Sequence, residues 1–104
     1  MVVRVAAGSG EIVLSGQLNS RTVADVRVAL HGAVDAGSGD LIVDLGAVDL
    51  VDSTGLGLLL AAHRRAGRCG RRLVLRDVPP SLNRLLLLTR LDRILAIERT
   101  GRLV

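Results

Sequence analysis

The chain has 104 residues, a formal charge of +4, one cysteine and no Phe, Tyr or Trp. That length suits one domain, spanning 1–104, with a core of Leu, Val, Ile and Ala. Lone Cys69 excludes an intramolecular disulfide and a thiolate metal cluster, and the lack of aromatics removes the usual stacking platforms for single-stranded nucleic acid.

Val2 to Ala7 reads as a first strand and Gly8-Ser9-Gly10 as a turn. Glu11 to Gly16 is a second strand, paired antiparallel with the first. Asn19 and Ser20 supply a helix start, after which Val23, Val26, Leu30, Ala33 and Val34 recur at helical spacing. Gly37-Ser38-Gly39 closes that helix. Leu41 to Leu45 is a third strand, buried on both faces. A loop from Gly46 to Asp52 leads to a second helix, from about Thr54 to Ala66, ended by Gly67 or Gly70. Leu73-Val74-Leu75 is a fourth strand. Pro79-Pro80-Ser81 opens a third helix whose apolar pattern takes in Leu82, Leu85, Leu86 and Leu88. Ile94 to Ile97 is a last short strand or a docked tail. The expected fold is α/β: a single-domain mixed β-sheet, with an opening antiparallel hairpin and then strand–helix units, and helices packed on it.

All 14 basic residues are Arg. Arg64, Arg65, Arg68, Arg71 and Arg72 form a dense run, read as a solvated helix end complementing the C-terminal dipole rather than as a nucleic-acid patch. Replacing Arg71 and Arg72 with neutral residues is expected to leave partner binding largely intact, since exposed cations contribute little individually. Met1-Val2-Val3-Arg4 leads straight into structure without a secretory signal, and the uncharged stretch Ser53 to Ala62 is too short for a membrane span. No membrane insertion is expected, and a reducing cytoplasm is the expected compartment.

The stretch Asp44 to Gly57, D-L-G-A-V-D-L-V-D-S-T-G-L-G, carries the chemistry. It joins a buried strand to an apolar helix, with Asp52, Ser53 and Thr54 at the helix start. A hydroxyl there sits at the positive end of the helix dipole and suits a cap, a bound phosphate or a phosphorylation site. A hydrolase is disfavoured. His63 lies about 15 Å up the same helix from Ser53, His31 is left open as a base by sequence alone, and Val51 occupies the first glycine position of a nucleophile elbow. Asp40, Asp44, Asp49 and Asp52 lack metal-loop spacing and read as solvated loop carboxylates. Neither metal nor cofactor is expected. On the helical wheel Leu56, Leu59, Leu60 and His63 share the packed face. Ser53, Gly57, Leu58, Ala61 and Arg65 form a candidate docking strip, with small residues permitting close approach.

Gly16-Gln17-Leu18-Asn19, Leu41-Ile42-Val43-Asp44-Leu45 and Val51-Asp52-Ser53-Thr54-Gly55-Leu56-Gly57 together resemble the STAS domain of bacterial anti-sigma factor antagonists. Gly67 and Gly70 before the Leu73 strand, and Arg84-Leu85-Leu86 within the third helix, fit the same pattern. The resemblance implies a non-enzymatic regulator that binds an anti-sigma factor serine kinase and is switched off when that kinase phosphorylates Ser53. A metal-dependent serine phosphatase would reset it. With the docking strip read from the helical wheel, the expected contact residues are Asn19, Asp52, Thr54, Gly55, Gly57, Leu58, Ala61 and Arg65. The family's acids in Gly-Glu-Leu-Asp are amides here, Gln17 and Asn19. Its Gly near position 90 is Arg90, and its terminal helix is expected to be short or absent. Two further readings remain: an unphosphorylated accessory STAS subunit of a lipid-transport or stress-sensing complex, and a basic nucleic-acid-binding domain.

Overall fold

A computed structural model describes residues 2–6 by their backbone and residues 10–98 in full. The elements are β1 (Val2–Ala6), β2 (Glu11–Leu18), α1 (Val23–Asp35), β3 (Leu41–Val51), α2 (Ser53–Arg68), β4 (Leu73–Arg76), α3 (Pro80–Thr89), a 3-10 turn (Leu91–Arg93) and β5 (Ala96–Glu98). The start of the expected turn, Gly8-Ser9, and the question of a terminal helix lie outside the described residues.

The strand order is β1-β2-β3-β4-β5, with β1 antiparallel to β2 and every later pair parallel. This is the expected mixed sheet, and β3 is its central strand, although it is buried on the helix face alone and not on both: Ile42 and Asp44, on the other face, are half-buried. Right-handed crossovers between successive neighbours carry all three helices to one face. Ile12, Leu14, Val43, Leu45, Leu73 and Leu75 point to that face and meet Val26 and Leu30 of α1, Leu59 and Ala62 of α2, and Leu82 and Leu86 of α3 in one core. On the opposite face Arg76 pairs with Glu11, with Asp44 at 3.0 Å and with Glu98 at 4.0 Å, joining four strands through one guanidinium. Asp44 is therefore an ion-paired strand residue, not a solvated loop acid. Asp40, too, is engaged, by Arg72 at 2.9 Å.

The loop expected from Gly46 to Asp52 is instead strand as far as Val51. Two register shifts against β2 explain the difference. Glu11 pairs with Ile42, Ser15 with Ala47 and Leu18 with Val51, so β3 gains two residues on its neighbour. Each extra residue breaks the period of two. Burial falls on Leu45, Val48 and Val51, with two exposed residues between each pair, and alternation disappears from the sequence. Gly16 sits between the shifts with φ 102°, a conformation that glycine adopts readily.

α2 is closed at both ends. Asp52 caps its start, the carboxylate accepting from the Gly55 N–H at 3.0 Å. Gly70, at φ 71°, ends it in a Schellman motif. There the Arg71 N–H donates to the Ala66 carbonyl at 2.8 Å and the Gly70 N–H to the Gly67 carbonyl at 3.2 Å.

Arg71 corrects the reading of the arginine run. It is 6% exposed. Its guanidinium donates to the carbonyls of Ala33 at 2.8 Å, Val34 at 2.9 Å and Gly39 at 2.9 Å, with longer contacts to Ser38 and Asp40. The last turn of α1 holds no basic residue. Arg71 supplies from elsewhere in the chain the cation that this helix end favours.

Arg90 closes α3 at φ 61°, in the left-handed region where glycine is favoured. Arg90→Gly should raise the stability of the domain by about 1 kcal/mol, the cost of a side chain in that conformation. Thermal unfolding checks it; an unchanged or lower midpoint would mean that the Arg90 side chain offsets its own strain.

Candidate functional site

In a parallel sheet of this kind, sites gather where the strands end and the helices begin. Here Leu18 of β2 pairs with Val51 of β3, and the Asp52 N–H reaches back to the Leu18 carbonyl at 3.3 Å. Asn19 and Ser53 therefore leave the sheet side by side. The Ser81 hydroxyl, in the first turn of α3, accepts from the Val51 N–H at 3.1 Å and fixes the other side of the same strand end.

Asn19 and Thr22 form a compact turn before α1. The Asn19 side-chain oxygen accepts from the Arg21 N–H at 2.9 Å, and the Thr22 hydroxyl accepts from the Asn19 N–H at 3.1 Å. The helix consequently begins at Val23, after that turn. The Asn19 amide donates to the Gln17 side-chain oxygen at 3.3 Å. Two carboxylates in these positions could not make that bond.

Asp52 takes the cap, and Ser53 becomes the first residue of the helix. Ser53 is exposed, and among the described residues no hydrogen bond holds its hydroxyl. Thr54 is exposed beside it. Gly55 is buried against the Leu18 backbone, where a Cβ would stand 2.8 Å from the carbonyl oxygen. It positions the helix start rather than offering surface. Gly57 is exposed and opens onto free space, and Ala61 is half-buried one turn on.

Leu58 does not belong to the docking strip. It is 2% exposed, because α1 packs along that flank of α2 and widens the apolar arc. Arg65 lies on the same flank and is half-buried, its guanidinium gripping Asp35 of α1 at 2.6 and 2.9 Å. Those hydrogen bonds hold the Asp35 carboxyl below the usual carboxylate range. The solvent strip of α2 is Ser53, Gly57, Ala61, Arg64 and Arg68. Arg64 stood in the sequence as one of the helix-end cations and not as part of the strip, and Leu50 was not singled out at all. Leu50 is 45% exposed opposite Gln17, and the two register shifts had hidden which way it points.

The arginine run does not form one basic patch. Arg71 is buried, Arg65 and Arg72 are paired, and Arg64 and Arg68 remain. Nor does His31 serve Ser53. It lies near Arg65, about three turns along α2 from Ser53. Burial first, then the Arg65 and Arg27 guanidiniums, hold its imidazole below the usual histidine range. No group of three metal-ligating side chains occurs among the described residues, and no described helix is long and apolar enough to cross a membrane.

The family described as "Mlab, STAS domain" matches residues 1–97. Among solved structures, the fold is similar to that of an anti-sigma factor antagonist from Mycobacterium paratuberculosis, with 28% identity and a TM-score of 0.75 over 92% of this chain and 83% of that one. An anti-sigma-factor antagonist (STAS) domain protein from Planctomyces limnophilus is 20% identical, with a TM-score of 0.77 over 95% of this chain and 90% of that one. The Bacillus cell fate determinant SpoIIAA in its phosphorylated form is 18% identical, with a TM-score of 0.75 over 97% and 93%.

Proposed function

From its membership of the STAS domain family, to which this chain belongs across residues 1–97, we propose that it is a non-enzymatic, cytoplasmic anti-sigma factor antagonist. Unmodified, it binds an anti-sigma factor serine kinase through the pole that carries Ser53. Phosphorylation of Ser53 releases it, and a serine phosphatase resets it. The contact surface is Asn19, Leu50, Asp52, Ser53, Thr54, Gly57, Ala61 and Arg64.

One observation carries this reading: Asp52, not Ser53, caps α2. The Ser53 hydroxyl is thereby free to be modified at the positive end of a helix of 16 residues. A phosphate adds nearly two charges and several acceptor oxygens, which the first-turn amides can receive. The modification leaves the cap intact and acts by charge and bulk on the partner surface.

Incubation with the cognate kinase and ATP, followed by mass spectrometry, tests it. Ser53→Ala should incorporate no phosphate, bind the partner as wild type does, and change stability by no more than about 0.5 kcal/mol. Ser53→Asp should weaken binding without loosening the helix, since an acid suits that end of the dipole. Thr54→Ala runs alongside. Phosphate on Thr54, or full affinity in Ser53→Asp, would show that Ser53 is not the switch. The Gln17–Asn19 amide pair favours a second reading, an accessory STAS subunit that is never phosphorylated. Partner binding with no phosphate transfer under the kinase would select it.

A further inference from the structure

We propose that the pole opposite Ser53 docks on an anionic lipid bilayer, with the domain resting on the surface and not spanning it. This goes beyond the Ser53 switch and does not depend on it.

Leu87, Leu88 and Ile94 are 58%, 74% and 56% exposed and fall within eight residues of chain. By helical spacing Leu87 and Leu88 share the solvent face of α3 with Arg84, one turn earlier. The chain then turns at Arg90 and carries Arg93 and Ile94 round the same corner. Arg84, Arg90 and Arg93 are all exposed, and none has a carboxylate partner among the described residues. The one acid in this stretch is Asp92. In a parallel strand–helix unit the helix ends where the next strand begins, so this corner faces away from Ser53.

A lone exposed leucine means nothing, and a cation near a helix end has a sufficient cause in the dipole. Three large exposed apolar side chains and three guanidiniums without a carboxylate partner among the described residues, all within positions 84–94, are a different object. Exposures above one half mean that the side chains project instead of lining a groove. A soft surface that closes around them fits better than a shaped protein pocket. Bilayer interfaces admit Leu and Ile tips to the acyl boundary, while anionic headgroups attract the surrounding cations and their phosphates match the guanidinium fork. Basic charge and apolar insertion are the two signals that together hold a protein on a membrane when neither suffices alone.

Co-sedimentation of the full chain tests the proposal, with vesicles of phosphatidylcholine alone and with about one third phosphatidylglycerol added. The chain should bind the anionic vesicles and not the neutral ones. Leu87→Ser with Leu88→Ser should reduce binding to background, and Arg84→Gln with Arg93→Gln should weaken it about thirtyfold. All four positions are exposed, so circular dichroism should match wild type. Ser53→Asp should bind the vesicles as wild type does, which keeps a failure of the switch separate from a failure of this surface. No binding to the anionic vesicles overturns the proposal. So does full binding by the double serine variant, which would mean attraction by net charge alone. A chain that ignores vesicles and self-associates through Leu87 and Leu88 would likewise overturn it in favour of a contact between copies.

Discussion

Arg71→Met should destabilise the domain by about 3 kcal/mol, whereas Arg72→Met should change it by less than about 1 kcal/mol. The two residues are neighbours in sequence and opposites in structure. Arg72 meets Asp40 with both side chains more than half exposed, so water and salt screen the pair. Arg71 is buried, and its donors satisfy carbonyls from the last turn of α1 and the segment that leads into β3. Methionine would fill much of the volume and leave those oxygens without donors, each at a cost of about 1–3 kcal/mol unless water reaches it. Against a total stability of about 5–15 kcal/mol the loss is large, and the thermal midpoint should fall by about 15 °C. Arg71→Lys should recover only part of it, because a single ammonium cannot span the fork of acceptors. Urea titration followed by circular dichroism decides the matter. Equal midpoints for Arg71→Met and Arg72→Met would mean that the buried guanidinium contributes nothing specific.

Gly55→Ala should destabilise the domain by about 2 kcal/mol, while Gly57→Ala should stabilise it by up to about 1 kcal/mol. Both glycines lie in the first turns of α2, and helix propensity alone predicts a gain at each. Surroundings reverse the sign at one of them. A Cβ on Gly55 would sit 2.8 Å from the Leu18 carbonyl oxygen, 2.8 Å from Leu18 Cγ and 2.9 Å from Val51 Cγ1. The carbonyl is backbone and already accepts from Asp52, so it cannot yield without loosening the strand end that holds the helix start. A Cβ on Gly57 meets nothing within 4 Å. Gly55→Ala should also displace Ser53 relative to Asn19 and lower partner affinity in proportion. Paired denaturation curves test the opposite signs; two stabilised variants would show that the contact at Gly55 relaxes freely.

The topology, the central position of Leu41–Val43 and the start of α2 were legible because each rests on local chemistry. Turn glycines, a continuous apolar run, and an acid with two hydroxyls before a leucine pattern carry their meaning within a few residues. What stayed hidden depends on residues distant in sequence. The extension of β3 to Val51 needs the register with β2, and no pattern within Gly46–Asp52 encodes it. Leu58 lies opposite the leucine stripe on an isolated wheel and becomes core only when α1 covers that flank. Arg71 looks like its neighbours until the carbonyls near residues 33–40 fold back onto it. The site divides in the same way. The exposed Ser53 follows from its place at a helix start, but the capping by Asp52 and the exposure of Leu50 depend on how the folded strands and helix meet.

The closure of α2 at both ends governs how news of the proposed Ser53 phosphorylation could travel. Fraying would be the cheapest way for an event at Ser53 to be felt near Arg68, and a helix closed by the Asp52 carboxylate and by the Gly70 turn resists it. The helix is therefore a poor wire. It works better as a label holder: a fixed rod that shows one altered corner to whatever reads it. In the switch proposed above, memory of the modification would reside in the mark itself and last until the mark is removed, with no altered shape to relax or decay beforehand.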